Sequence, residues 1–285
     1  MLLPGGLSRF SFTYDNWGTN PSTTPGTSVT PGASNAEGSW TQVASSSNIS
    51  QDCYWLAIRV SEGSTSGQIK SQLLDIGVDP AGGTSYTAVI SDIVCGASFA
   101  TSNRQDGHQF LFPIFIKSGS SVAVRIQGSN GTAGTVLVAV KFYGQPSNPE
   151  KCPMGMFSET IGSIASSAGV SFTPGNAADG SWTSLGTTSK NLWWWQICYQ
   201  ISNSTITVEQ TYIELAYGDG SNKVSIMRAM HMGSTVEECG FTFPYNLNFI
   251  EAYCPVPAGA TIYIRGRCVN APDTGYNAVA VGIGG

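Results

Sequence analysis

The chain holds only two histidines, His108 in NRQDGHQF and His231 in MRAMHMGS. Neither has the company that catalysis needs. General acid–base work wants a second titratable group within reach. A serine nucleophile wants a strained turn of the Gly-x-Ser-x-Gly kind, and none is present. His231, set between apolar residues, reads as a packing histidine. His108 lies in a polar turn with Asp106 and has no further residue at metal-ligand spacing. Glu237 and Glu238 are adjacent, so on a strand they face opposite ways. Asp75 and Asp79 in LLDIGVDPAGG, and Glu214 and Asp219 in YIELAYGDGSN, read as turn chemistry. There Asp accepts backbone hydrogen bonds, and a calcium loop would want more closely spaced oxygens. Arg125 and Arg265 each stand in an alternating run, and each is expected to make a structural ion pair or an interface contact. No enzyme is expected, and no cofactor or metal.

Cysteine and charge narrow the field further. The seven cysteines, at 53, 95, 152, 198, 239, 254 and 268, form no Cys-x-x-Cys pair, so zinc is not expected. Cys53 with Cys95, and Cys198 with Cys239, take corresponding places in the two halves of the chain and are expected to be neighbours in a sandwich. Free buried thiols are the expectation in a reducing cytosol. Lys and Arg number 13 against 18 Asp and Glu, a net charge of −5 with no basic run. Phosphate backbones need clustered cations, so nucleic acid is not an expected partner. No stretch approaches the ~20 apolar residues of a membrane-spanning helix, and no membrane partner is expected. The opening MLLPGGLSRF lacks a basic segment followed by a long apolar one. Synthesis in a cytoplasm is therefore expected, and the sequons at Asn48, Asn130 and Asn203 carry little weight.

These residues must be positioned by strands. Strong helix formers are scarce, and Gly, Pro, Ser, Thr, Val and Ile abound, a composition for short strands and turns. The chain is also a duplication. VTPGASNAEGSWTQVASSSNISQDCYWLAIRV from Val29 parallels FTPGNAADGSWTSLGTTSKNLWWWQICYQI from Phe172. Both carry Thr-Pro-Gly and then Gly-Ser-Trp, at Trp40 and Trp182. LLDIGVDPAGG parallels YIELAYGDGSN, KSGSSVAVRIQGSN parallels PAGATIYIRGRCVN, and VLVAVKFYG parallels NAVAVGIGG. The offset holds near about 140 residues throughout, which chance would not maintain.

The fold expected is all-β, with two tandem homologous antiparallel β-sandwiches of jelly-roll type and an extended N-terminal arm. The boundaries are 1–28 for the arm, 29–145 for the first sandwich, 146–156 for the linker QPSNPEKCPMG and 157–285 for the second sandwich. Each repeat of roughly 115 residues has room for six to eight short strands. An immunoglobulin-like Greek key remains open beside the jelly roll at this point.

Two aromatic groups are candidates for partner binding. The run Trp193-Trp194-Trp195 matches the Cys53-Tyr54-Trp55 region of the first copy, so it reads as a strand rather than a sugar platform. Alternation sends Trp193 and Trp195 one way, into the core, and Trp194 the other, toward solvent, the sister sandwich or a partner subunit. In the arm, SRFSFTYDNW sets Phe10, Phe12 and Tyr14 on one face, followed by Trp17. That face has no counterpart in the repeat. It is expected to add to a sheet, in its own domain, a sister subunit or a capsid. The candidate partner-binding residues are Phe10, Phe12, Tyr14, Trp17 and Trp194.

A duplicated β chain, rich in Gly, Ser and Thr and poor in charge, with a leading aromatic and Pro/Thr arm, resembles the decoration or cement proteins of tailed-bacteriophage capsids. The resemblance is one of architecture and composition over the whole chain, and it carries over no site residue. It implies a non-enzymatic virion protein that binds the major capsid protein, stabilises the outer capsid surface and forms a homo-oligomer, a trimer first. The competing readings are a carbohydrate- or receptor-binding module of a phage fibre, with a glycan as partner, and a double-jelly-roll capsid protein.

Overall fold

The computed structural model describes residues 10–16, 26–62, 72–95, 108–129, 135–146, 155–201, 210–232, 239–242, 253–268 and 276–285. These residues form strands and turns with no helix. In the first half, one sheet has the order β1 (Phe10–Asp15), β9 (Val136–Pro146), β4 (Trp55–Glu62) and β7 (His108–Phe112), with β2 (Thr27–Val29) also on β9. The facing sheet has the order β3 (Thr41–Ala44), β8 (Ser121–Gly128), β5 (Gln72–Asp79) and β6 (Thr87–Val94).

The second half repeats this plan. Its first sheet runs β12 (Ala168–Phe172), β21 (Tyr276–Gly284), β15 (Leu192–Ile201) and β18 (Cys239–Thr242). Three short strands extend it: β10 (Phe157–Ile161) on β21, β11 (Ser163–Ile164) on β12 and β19 (Tyr253–Val256) on β15. The facing sheet holds β14 (Thr183–Thr187), β20 (Thr261–Cys268), β16 (Gln210–Gly218) and β17 (Lys223–Met232), with the two-residue β13 (Gly175–Asn176) also on β20. Both halves have the strand order of a jelly roll. The topology left open by the sequence is thereby decided.

Alternation explains why these residues make these sheets. On β8, Val122, Val124 and Ile126 are buried, while Arg125 and Gln127 look outward. On β20, Ile262, Ile264 and Cys268 are buried, and Tyr263, Arg265 and Arg267 look outward. Each buried Val or Ile contributes roughly 1.5–3 kcal/mol.

The N-terminal segment is extended, but it is part of the first sandwich. β1 pairs antiparallel with β9, and Tyr14 lies opposite Phe142 and stacks on it at 6.2 Å. The expectation that this strand lacks a counterpart is corrected: β10 takes the same place on β21 as β1 takes on β9. The first sandwich therefore starts at β1 rather than at residue 29. Two register shifts between Phe10 and Tyr14 interrupt the simple alternation read from SRFSFTYDNW.

The two sandwiches share apolar packing. Trp194, Cys198, Val279, Val281 and Ile283, on the outer face of the β21–β15 pair, join the core of the first sandwich. A second core lies wholly within the second sandwich. Hydroxyls stitch the edges together. Ser158 Oγ of β10 donates to the Val89 carbonyl of β6 at 2.6 Å, and Thr160 donates to the Ser91 carbonyl. Ser163 donates to the Asp92 carboxylate at 2.8 Å. Gln127 Nε2 donates to Ser167 Oγ at 3.1 Å, and Ser167 Oγ donates to Asn35 at 2.9 Å.

Candidate functional site: a tryptophan–arginine–carboxylate cluster on each outer sheet

Two of the three consecutive tryptophans are buried. Trp194 is 2% exposed and meets Phe112 of the first sandwich edge-on, with ring centroids 6.1 Å apart. Of the three neighbours that alternation allowed it, it has the sister sandwich, so its ring is taken up within the chain. Trp195 enters the second core, and its indole N–H donates to the Cys254 carbonyl at 3.1 Å. Trp193 departs from the expectation. It is half-buried, packs against the shared core instead of joining Trp195, and lies 5.9 Å from the Tyr253 ring. Leu192 and Trp195 are both in the second core although three positions apart, so alternation breaks between them. β19 shifts register on β15 at that point. The first copy breaks in the same way, with Cys53 and Leu56 both turned inward.

Among the other sequence candidates, Tyr14 is half-buried and its hydroxyl donates to the Val43 carbonyl at 3.4 Å. Phe10 and Phe12 are placed by strand register only, and Trp17 lies outside the described residues, as do Asp106, Glu237 and Glu238. Of the cysteines, 53, 95, 198 and 268 are buried and 254 is half-buried. Burial pushes the Cys95 thiol up, and nearby Cys198 pushes it further, so Cys95 has a neighbour in the other sandwich. Asp79 accepts from the Ala81 and Ser85 amides, both at 2.9 Å, and Asp219 accepts from Ser221 and Asn222. Both are turn carboxylates, as their sequence setting suggested, but Asp75 and Glu214, read the same way, stand inside β5 and β16 and pair with arginines instead. Among the described residues no three His, Cys, Asp or Glu side chains gather as a metal site.

What the fold does gather, twice, is the residues around Gly-Ser-Trp. In the first copy the Gly38 amide donates to the Ile126 carbonyl at 2.9 Å, which pins the loop over β8. Trp40 then lies across β5 at Gly77, where a Cβ would come within 2.8 Å of the indole. The Arg125 guanidinium stands 4.5 Å from the Trp40 ring centroid. β5–β8 register sets Arg125 opposite Asp75. Arg125 Nε and a terminal nitrogen bind Asp75 Oδ2 at 2.9 and 2.8 Å, and its other terminal nitrogen pairs with Glu37. Asp75 Oδ1 accepts the Asp92 amide at 2.8 Å. Asp92, at φ 56°, is a bulge residue on β6. Its carboxyl is raised above the ordinary aspartate value, first by burial and also by Asp75; Ser163 and Arg125 oppose the rise.

The second copy rebuilds the cluster. The Gly180 amide donates to the Gly266 carbonyl at 2.8 Å. Arg265 lies 4.3 Å from the Trp182 ring centroid and opposite Glu214 in the β16–β20 register. It binds Glu214 at 2.6 Å and Asp179 at 2.9 Å. Arg228 adds contacts to Glu214 at 2.9 Å and Asp179 at 3.1 Å. Burial alone would raise Glu214, but hydrogen bonds from Arg265, Ser225 and Arg228 outweigh it and hold the carboxyl below its ordinary value. Arg267 lies over Tyr212 at 5.2 Å, and Lys223 over Tyr263 at 4.6 Å.

Sequence reasoning found Trp40, Trp182, Asp75, Glu214, Arg125 and Arg265 as matched positions without seeing that they meet. It missed Glu37 and Asp179, although an acid precedes Gly-Ser-Trp in both copies. It missed Arg228 and Arg267 as well, which only strand register brings to the cluster.

No family model matches the chain, and no curated protein sequence matches it. Among solved structures it is similar to PNGF-II in the C2 space group, at 9% identity and a TM-score of 0.37, over 90% of this chain and 63% of that one. It is similar to the CBM22-1–CBM22-2 tandem domain of Xyn10C from Paenibacillus barcinonensis at 9% identity and a TM-score of 0.29, over 96% and 98%. It is also similar to the infectious bursal disease virus Gt strain at 8% identity and a TM-score of 0.26, over 83% and 58%. The chain thus spans under two thirds of PNGF-II. These are distant likenesses among all-β proteins, and the fold stands on its own strand order.

Proposed function

We propose that this chain is a non-enzymatic virion structural protein that attaches to the outer surface of a capsid and stabilises it, with the major capsid protein as its partner. One observation carries the reading: the packed pair of sandwiches repeats the same Trp–Arg–carboxylate core, with different charges around it, on two outer sheets held together by the shared core. A body built twice on one framework suits a target that repeats, and a capsid lattice is such a target. Engaging two sites at once raises avidity by roughly 10²–10⁴ without any new kind of contact. The described charged side chains of the clusters pair with one another rather than converge on an open reacting centre, which suits a structural role. A symmetric oligomer, a trimer first, is part of the proposal.

The test is co-sedimentation of the purified chain with particles stripped of it, followed by electron microscopy of the pellet. Regular extra density at capsid symmetry positions is the expected result. Failure to pellet with capsids at micromolar protein would overturn the proposal. Sedimentation of the free chain reads its oligomeric state separately.

A further inference from the structure

The duplication makes each sandwich a control for the other. In the first copy, Gln127 stands two residues beyond Arg125, and the bulge at Asp92 flanks Asp75. Both touch the second sandwich, Gln127 through Ser167 and Asp92 through Ser163. In the second copy the same two places hold Arg267, two residues beyond Arg265, and Arg228, opposite Glu214. Among the described residues no segment covers them as the second sandwich covers the first. Their side chains are 37% and 45% exposed.

So the edge of the outer sheet that is closed in one copy is open in the other, and there it has become cationic. Lys223, Arg228, Arg265 and Arg267 share that face with Asp179 and Glu214, an excess of positive charge on a chain whose net charge is −5. The first copy has the opposite balance, Arg125 against Asp75 and Glu37. Of the three arginines Arg267 is the least neutralised among the described residues, since its ion-pair contact, to Asp179, is 3.9 Å long, against 2.6–3.1 Å for Arg228 and Arg265.

A second copy of the chain, stacked by the operation that relates the two sandwiches, does not suit this face. The second sandwich docks through Val281 and Cys198. Strand register puts Lys141 and Arg59 at those places in the first sandwich. Repeating the contact would bring cations toward Arg228 and Arg267, and like charges brought together suppress such pairing.

We propose that the open outer face of the second sandwich binds an anionic polysaccharide carrying ring carboxylates. Guanidinium groups match carboxylates with paired hydrogen bonds. An aromatic ring accompanies the cations across the sheet: Tyr212 beside Arg267, Trp182 beside Arg265 and Tyr263 beside Lys223. Each of these rings is half-buried, so the part beside its cation is left for the C–H groups of a pyranose, and a row of cations along the sheet suits an extended polyanion. The inference goes beyond capsid attachment and does not need it.

The experiment is affinity electrophoresis and calorimetry of the full chain with polygalacturonate, with dextran as the neutral polymer and single-stranded DNA as the phosphate polymer. Circular dichroism serves as the folding control for every variant. Polygalacturonate is expected to bind and dextran not. Arg267→Gln should weaken binding by about tenfold, the worth of one charge-assisted hydrogen bond, and Tyr212→Ala should weaken it without changing the charge. Lys117→Gln, an exposed site on the first sandwich, should leave binding unchanged. No binding to polygalacturonate overturns the inference. Equal binding to dextran overturns the role of the carboxylate, and tighter binding to DNA overturns the glycan. Equal loss in Arg267→Gln and Lys117→Gln reduces the effect to overall charge and overturns the site. None of these outcomes depends on a capsid.

Discussion

Replacing Trp194 with alanine tests whether the two sandwiches form one cooperative unit. The side chain is 2% exposed and bridges the sandwiches, joining a core otherwise built from first-sandwich residues plus Cys198, Val279, Val281 and Ile283. Its edge-on contact with Phe112 adds to the apolar burial. A buried Trp→Ala change costs about 3–5 kcal/mol. At roughly 2–4 °C per kcal/mol for a chain of this size class, Tm should fall by roughly 6–20 °C. Among the described residues the indole N–H has no hydrogen-bond partner. Trp194→Phe therefore gives up area but no hydrogen bond, and it should cost less than half as much. The assay is differential scanning calorimetry of the wild type and both variants. The wild type should unfold in one transition. Trp194→Ala should split it, because the lost packing couples the sandwiches rather than filling either alone. A wild type with two separate transitions, or a Trp194→Ala shift below about 2 °C, would refute the reasoning.

Four further outcomes follow from the same geometry. Gln196, also on the face between the sandwiches, has an amide with no partner among the described residues; Gln196→Leu should raise stability by about 1–2 kcal/mol in urea unfolding, since a buried unpaired amide costs about 1–3 kcal/mol. Losing both edge hydroxyls in Ser158→Ala with Thr160→Val should cost about 1–3 kcal/mol in the same assay, at about 0.5–1.5 kcal/mol for each bond. Asp92 is raised in the native state, so its contribution is favourable below the ordinary aspartate value and is lost as pH rises through the raised value; Asp92→Asn should remove that loss and raise Tm at neutral pH, whereas Glu214, held low, contributes above the ordinary glutamate value and loses that contribution as pH falls through its native value, a difference to be read from Tm between about pH 3 and 7. Deleting residues 1–28 removes β1 and most of β2 from the sheet edge along β9, and circular dichroism should show reduced strand signal and a lowered melting temperature rather than a protein as stable as the full chain and merely short of an arm.

The sequence showed most of the fold because the repeat reports it twice. Period-two burial on β8 and β20 is visible in SVAVRIQG and TIYIRGRC, and the turn residues before each strand are legible. The place of β1 was not, for two reasons. It and its counterpart β10 fall ahead of the Thr-Pro-Gly at which the aligned stretches begin, and register shifts in β1 disturb its period. Trp193 was misplaced for a related reason. Period-two reasoning assumes a regular ladder, and β19 slips on β15 at Leu192–Trp194. The cluster was half legible. Matched positions such as Asp75 with Glu214 appear in an alignment of the halves, but Arg228 reaches Glu214 only through pairing across the β16–β17 hairpin, which no sequence spacing announces.

The two copies differ most where their surroundings differ, and the direction of the change has a physical cause. At the edge of the outer sheet the first copy faces another sandwich, and there it uses groups that hydrogen-bond without bringing an unpaired charge: Gln127, Asn35 and the β6 carbonyls that receive Ser158 and Thr160. Asp92 is a carboxyl at that seam, and burial already raises it. Where the second copy faces no described segment, solvent screens full charges at little cost, and Arg228 and Arg267 stand in the corresponding places. The paired core of each cluster, Arg125 with Asp75 and Arg265 with Glu214, is the same in both because its job is the same: to hold the Gly-Ser-Trp loop against the sheet. Exchanging the variable positions separates the two roles. Arg228→Ser with Arg267→Gln should leave the Trp182–Arg265–Glu214 contact and the fold intact, read by near-ultraviolet circular dichroism, while removing the cationic face. If the tryptophan signal collapses with them, those arginines belong to the clamp that holds Trp182, and the second face is a structural elaboration rather than a binding surface.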